Sequence, residues 1–184
     1  MADLTEYKRV LEKLANTESK EYINNSSMDH AATMIEVLFN NSKGLVCILS
    51  DHLHGEVYDR TELKKCVEDF FKRDENNMID VIMQLNVEPD EKKLLQNGFV
   101  TFLDQFKDRV RLFKAIDENL KSLKNHYMIA RTTKDNFAFR FELDTNDHIA
   151  TGTFNDENRG EKLYNYFTLN TSNPNNTTLI TKYN

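Results

Sequence analysis

The chain is short of the residue types that carry the most recognisable chemistries. Its two cysteines, Cys47 and Cys66, have no CxxC spacing and no Cys/His cluster around them, which argues against a thiolate metal site or a redox motif. Cys47 lies in an apolar run and Cys66 on the apolar side of a helical stripe, so core packing without a disulfide is expected of both. Five glycines in 184 residues leave no P-loop, no dinucleotide fingerprint and no nucleophile elbow. No apolar stretch reaches signal-peptide or membrane-span length, and a cytoplasmic protein without membrane contact is expected. Positive charge is also scarce: 24 Lys and Arg stand against 30 Asp and Glu, a net charge of -6. The whole-chain balance therefore offers nucleic acid no attraction. No internal repeat occurs, so the chain holds one copy of its unit.

What is there suits one well-buried core. Leu4, Tyr7, Val10, Leu11 and Leu14 form a helical stripe, and Thr17 to Asn25 reads as a polar linker. Ser26 or Ser27 caps a second helix bearing Ala31, Met34, Ile35 and Leu38. Leu45 to Ser50 and Met78 to Leu85 then read as strands of the buried type, and Val110 to Ile116, which alternates loosely, as a third strand. Between them lie a helix with a capping box at Asp59 and Glu62, and another capped by Asp90 that carries Leu94, Leu95, Phe99, Phe102 and Phe106. Strand, helix, strand, helix, strand implies parallel pairing through right-handed crossovers.

Past residue 124 the pattern changes. Tyr127 to Arg131, Phe137 to Leu143 and Ile149 to Phe154 are short alternating runs parted by turn residues, the pattern of an antiparallel meander. Asn155 or Asp156 caps a closing helix with Leu163, Tyr164 and Phe167, and Thr178 to Tyr183 offers an edge strand. The expected organisation is an N-terminal helix and linker over 1–25, an α/β domain over 26–170 and a polar tail over 171–184. In the middle run Phe137, Phe139, Phe141 and Leu143 share one face, and Ala138, Arg140 and Glu142 the other. Whether His126 faces Glu142 or the phenylalanines depends on the turn: three residues at Thr133-Lys134-Asp135 set it opposite Glu142, whereas two or four exchange the faces.

His126 at the head of the meander, and Gly152-Thr153-Phe154-Asn155 at its end before a helix, carry a resemblance. The order of elements over residues 26–170 resembles one half of the phospholipase D superfamily, whose motif runs His-x-Lys-x4-Asp, then Gly-Ser-x-Asn. The resemblance implies an α/β fold: a mixed sheet flanked by helices, with a C-terminal β-meander and a closing helix. It places His126 at the nucleophile position and Asn155, with Thr153 for the serine, at the phosphate-holding element. Met128 stands where the family has lysine and Thr133 where it has aspartate, unless Asp135 serves through a longer turn. A thioether supplies neither a donor nor a positive charge. Losing one such donor costs roughly 100- to 1000-fold in rate. Arg131, Lys134 and Arg140 are candidate replacement cations, although Arg140 and Glu142 also suit an ion pair on a solvated sheet face.

The expectation is therefore a degenerate phospholipase D-like domain that acts as a non-catalytic binding or regulatory subunit for a phosphorylated ligand or a protein partner. Lys134, Arg140, Glu142 and Thr153 would line its ligand site. The alternative is an active, metal-independent phosphodiesterase or nuclease. It would use His126 and Asn155, with Arg140 or Lys134 in place of the lysine and a second histidine from a two-fold partner. A homodimer is expected through Tyr127, Ile129, Tyr164, Tyr166 and Phe167. No cofactor and no metal are expected, since His52 and His54, beside Asp51 and Glu56, have no third ligand in view.

Overall fold

The computed structural model describes residues 3–84, 97–144 and 149–180. Helix α1, Leu4–Thr17, starts at Asp3, whose side chain accepts from the Thr5 amide. Tyr7, Leu11, Leu14 and Ala15 fall on one face at helical spacing and are buried. The helix stops at Glu18, which adopts left-handed backbone angles at φ 48°. Strand β1, Ile23–Asn25, follows where the sequence reads as a linker. Helix α2, Met28–Asn41, is capped by Ser27 and buried along Ala31 to Phe39, so it runs through the middle of one helical layer.

Strands β2 (Ser42–Ser50), β3 (Met78–Met83) and β4 (Val110–Ala115) pair in parallel, as the alternation of strands and helices predicts. Between β2 and β3 come the short helix α3, Gly55–Tyr58, and helix α4, Thr61–Arg73. No side chain caps α4, and the Asp59 carboxylate expected there pairs with Lys64 instead. Before β4 come α5, Gly98–Leu103, capped by Asn97, and a 3-10 turn over Asp104–Arg109. The expected cap at Asp90 and the side chains of Leu94 and Leu95 lie outside the described residues.

The meander extends this core in the antiparallel sense. Strands β5 (Tyr127–Thr132), β6 (Phe137–Asp144) and β7 (Ile149–Thr153) follow the short helix α6, Glu118–Lys121. Helix α7, Glu157–Ser172, is capped by Asp156, and β8, Thr177–Leu179, closes the far edge. The chain is thus an α/β fold on one mixed eight-stranded sheet, ordered β1-β7-β6-β5-β2-β3-β4-β8. One face packs against α1, α2, α4 and α5, with Val46, Ile48, Val81, Met128 and Ala138 inward. The other, with Cys47, Leu49, Phe113, Phe137 and Phe139 inward, lies under α7 through Phe167. At Gly152 a Cβ would stand 2.6 Å from the Phe139 carbonyl oxygen and against the Met34 side chain, so the close approach of α2 requires glycine there. Among the described residues no helix is long and apolar enough to cross a membrane.

Candidate functional site

Strand pairing decides where His126 points. Met128 pairs with Arg140 and Tyr127 with Phe141, so the turn has three residues, and Asp135 takes left-handed angles at φ 76°. His126 then lies opposite Glu142, whose amide donates to the His126 carbonyl at 2.8 Å. That face is the α2 face and is not solvated: Arg140 is only 4% exposed. Arg140 and Glu142 pair along one strand, two residues apart, with Arg140 Nη1 to Glu142 Oε1 at 2.9 Å. The second carboxylate oxygen, Oε2, lies 3.0 Å from His126 Nδ1.

The C-terminal end of β2 brings in a second set. The Asp51 carboxylate accepts from the His52 amide at 2.7 Å, meets His52 Nδ1 at 2.7 Å, and stands 4.0 Å from His126 Nδ1. Asp51, His52, His54, Tyr58, His126, Arg140 and Glu142 surround a cavity of about 70 Å³, which Met28, Ala31 and Ile35 of α2 close from one side. Open α/β sheets commonly carry ligand crevices at the carboxyl ends of their parallel strands. Among the described residues, no group of three or more His, Cys, Asp and Glu side chains is arranged to hold a metal ion.

The charges in the cleft are mutually stabilised. Burial pushes the Glu142 carboxyl up, but the His126 hydrogen bond and the Arg140 charge outweigh it and hold it below the usual range. Burial also opposes ionisation of Asp51, yet its bond to His52 and the nearby imidazoles bring its pKa down to about 2. The bond to Asp51 raises the pKa of His52. Burial raises the Tyr58 hydroxyl on the wall, and takes that of Tyr7 on α1 up to about 12 against the opposing charge of Arg140.

Of the residues that the sequence nominates, His126, Arg140 and Glu142 converge here. Thr153, Asn155 and Lys134 do not. Thr153 pairs with Phe139, three positions along the sheet from the Glu142–Ala150 pair, on the order of 10 Å away. Its hydroxyl donates to the Ser19 carbonyl at 3.4 Å, and Asn155 Nδ2 donates to the Glu18 carbonyl at 3.0 Å. Lys134 sits at the far end of the β5–β6 hairpin, where Nζ donates to the Asn16 carbonyl at 3.2 Å. The physical reason is β6, which separates β5 from β7 and carries the Gly-Thr-x-Asn element to the end of α1. Of the residues expected at a dimer contact, Tyr127, Ile129 and Phe167 are buried within the sheet–α7 core, while Tyr166 is exposed. Asp51 and His52 are the cleft residues that motif reasoning passes over; an acid and two histidines directly after a buried parallel strand are the signal that points to them.

No protein-family model and no curated protein matches the sequence. Among solved structures the fold is similar to that of TrmBL2, an archaeal chromatin protein that binds DNA, with a TM-score of 0.53 and 11% sequence identity. The similarity covers 91% of this chain and 60% of that one, so the chain spans less than two thirds of its neighbour's length. At that identity the likeness shows the fold alone.

Proposed function

We propose that the chain is a phospholipase D-like domain with a degenerate active site, acting in the cytoplasm as a non-catalytic binding or regulatory subunit whose partner engages the His126 cleft. The observation that carries this reading is the pairing of Arg140 with Glu142. The cation that would replace the missing lysine is already neutralised, and Asn155, Thr153 and Lys134 serve the end of α1. Phosphoryl transfer needs donors aimed at oxygens whose charge grows, and a neutralised guanidinium beside two carboxylates is poorly suited to that. The same charges favour a protein or small-molecule partner over a phosphorylated one. The 184-residue chain given bis-p-nitrophenyl phosphate without metal is expected to show no turnover above that of His126→Ala. Turnover that disappears in that variant overturns the reading.

One observation favours the active alternative. His126 Nδ1 is held by a carboxylate, the arrangement that orients an imidazole for nucleophilic or general-base work. Phosphohistidine trapped at position 126 during the same assay would establish it.

A further inference from the structure

Strand β2 does not run evenly along β5. Strand pairing sets Lys43 beside Arg131 and Cys47 beside Ile129, so Gly44, Leu45 and Val46 together stand against Ala130 alone. Gly44 takes left-handed angles at φ 67° in this bulge, and its amide donates to Asn77 Oδ1 at 2.7 Å, on the β3 side. Bulges are over-represented beside functional sites. A Cβ placed on Gly44 would meet nothing within 4 Å, so the space above it is open. That space belongs to a second cavity, of about 270 Å³, on the α7 face of the sheet and at the opposite end of β2 from Asp51. It approaches the ~300 Å³ at which pockets for small ligands begin.

Its lining is apolar in the middle, at Leu45 and the Tyr164 ring, and charged on both sides. On the β5 side the Arg131 guanidinium lies 4.0 Å over the Phe137 ring, and Nη1 donates to the Asp135 carbonyl at 2.5 Å, which fixes its place. Its Nε and Nη2 donate to no described residue, and the side chain is 45% exposed. Lys43 Nζ meets Asp135 Oδ1 at 2.9 Å, but both side chains are open to water, and a pair so screened yields to a competitor. On the β3 side Asp74 Oδ1 accepts from the Asn76 amide at 2.8 Å and side chain at 3.0 Å, and these bonds hold the carboxyl below its usual range. Arg109 takes only the Asp74 backbone carbonyl, so the carboxylate has no cation of its own.

We propose that this cavity binds a short zwitterionic peptide in extended form, with its carboxylate at Arg131 and Lys43 and its ammonium at Asp74. Two cations and two carboxylates on the lining cancel, which suits a ligand that is neutral overall. Strands β3 and β5 flank β2, so two strand spacings, about 10 Å, separate the poles. Three extended residues span about that length, whereas a single amino acid carries its charges too close together to reach both. Gly44, Leu45 and Val46 form no ladder with β5, so main-chain groups on that side are open to the backbone of a peptide. The site lies apart from the His126 cleft and holds whichever way that cleft is read.

The test is a titration of the isotope-labelled 184-residue chain with trialanine at constant ionic strength, read by NMR from the Gly44 amide and the Tyr164 ring. Both signals should shift saturably while the His126 ring signals stay in place. N-acetyl-trialanine lacks the ammonium and trialanine amide lacks the carboxylate, and each should bind at least about tenfold more weakly, as the loss of one charge-assisted contact implies. Alanine and penta-alanine cannot meet both poles and should also bind more weakly than trialanine. Asp74→Asn should weaken trialanine by about the same factor and leave N-acetyl-trialanine unchanged, because that ligand has no ammonium to lose. If Asp74→Asn disturbs the turn at Asn76, Arg131→Gln makes the matching comparison at the other pole, with trialanine amide as the indifferent ligand. The absence of a saturable shift at Gly44 and Tyr164, a shift confined to His126, or equal affinity for the blocked peptides or for alanine overturns the inference.

Discussion

Asp51 stands beside His52 and His126, two of the cleft's three histidines, and its electrostatics make a prediction independent of any ligand. His52 has its pKa raised by the bond to Asp51, so the stability it contributes is fully present below the unfolded value near 6.5 and is lost as pH rises through the folded value. Asp51 behaves in the opposite sense. Its pKa is lowered from 3.8 to about 2, so its contribution is present above about pH 4 and is lost as pH falls through about 2. The urea midpoint should therefore fall between about pH 6 and pH 8, and the share due to His52 should vanish in His52→Ala. Identical slopes in both proteins would show that the His52–Asp51 contact is not kept in solution. The sequence made one half of this cleft legible and left the other half out of reach. Alternation along β6 and a three-residue turn suffice to set His126 beside Glu142 and Arg140, because register follows from local geometry. Asp51 and His52 arrive from a loop far away in sequence, and only the pairing of β2 with β5 brings them in. His52 and His54 accordingly read as an exposed His-x-His rather than as a wall.

The β5–β6 hairpin is fixed at its tip by α1 as well as by its own turn, where the Lys134 and Asn136 amides donate to Thr132 Oγ1. Glu18 takes left-handed backbone angles to end the helix, and its carboxylate accepts from Thr132 Oγ1 at 2.9 Å and from Asn136 Nδ2 at 2.6 Å. Lys134, Asn155 and Thr153 bind the Asn16, Glu18 and Ser19 carbonyls around it. Residues that looked like phosphate ligands thus hold a helix end to a sheet. Glu18→Ala removes two charge-assisted acceptors while keeping the unfavourable backbone angles, and should cost about 2 kcal/mol by urea unfolding. A loss below ~0.5 kcal/mol would mean that water replaces these contacts freely. Elements with strong periodicity were readable in advance: the three buried strands, the meander and the helices capped by Ser27 and Asp156. The three-residue strand β1, Ile-Asn-Asn, was not, since it has almost no apolar signal and exists because β7 offers it an edge. Helix α4 misled for a different reason. Asp59 satisfies the capping pattern locally, but Lys64 competes for its carboxylate and the helix begins after Arg60.

Helix α1, strand β1 and strand β8 pack into the same core and sheet as the middle of the chain. A division at residue 26 follows naturally from the polar stretch Thr17 to Asn25, but α1 lays Tyr7, Leu11 and Leu14 into the core beneath α2, and β1 pairs with β7 across Ile23–Gly152, Asn24–Thr151 and Asn25–Ala150. At the other edge β8 pairs with β4 through Phe113–Leu179, Lys114–Thr178 and Ala115–Thr177. Burying a large apolar side chain is worth about 1.5–3 kcal/mol, so the three from α1 together approach the ~5–15 kcal/mol that holds a whole domain folded. Removing residues 1–25 would also bare the α2 surface that α1 covers and the β7 edge, and would release the hairpin tip from Glu18. A chain starting at residue 26 should therefore lose its cooperative urea transition and bind a hydrophobic dye. A truncated chain that unfolds in one sharp transition, with its midpoint close to that of the full chain, would show that α1 and β1 are an appendage after all. The cleft sharpens the test, because Arg140 lies within the electrostatic reach of Tyr7 on α1. If the truncated chain does fold, the His126 ring signals should still move from their full-length positions, since the wall behind Arg140 has been opened.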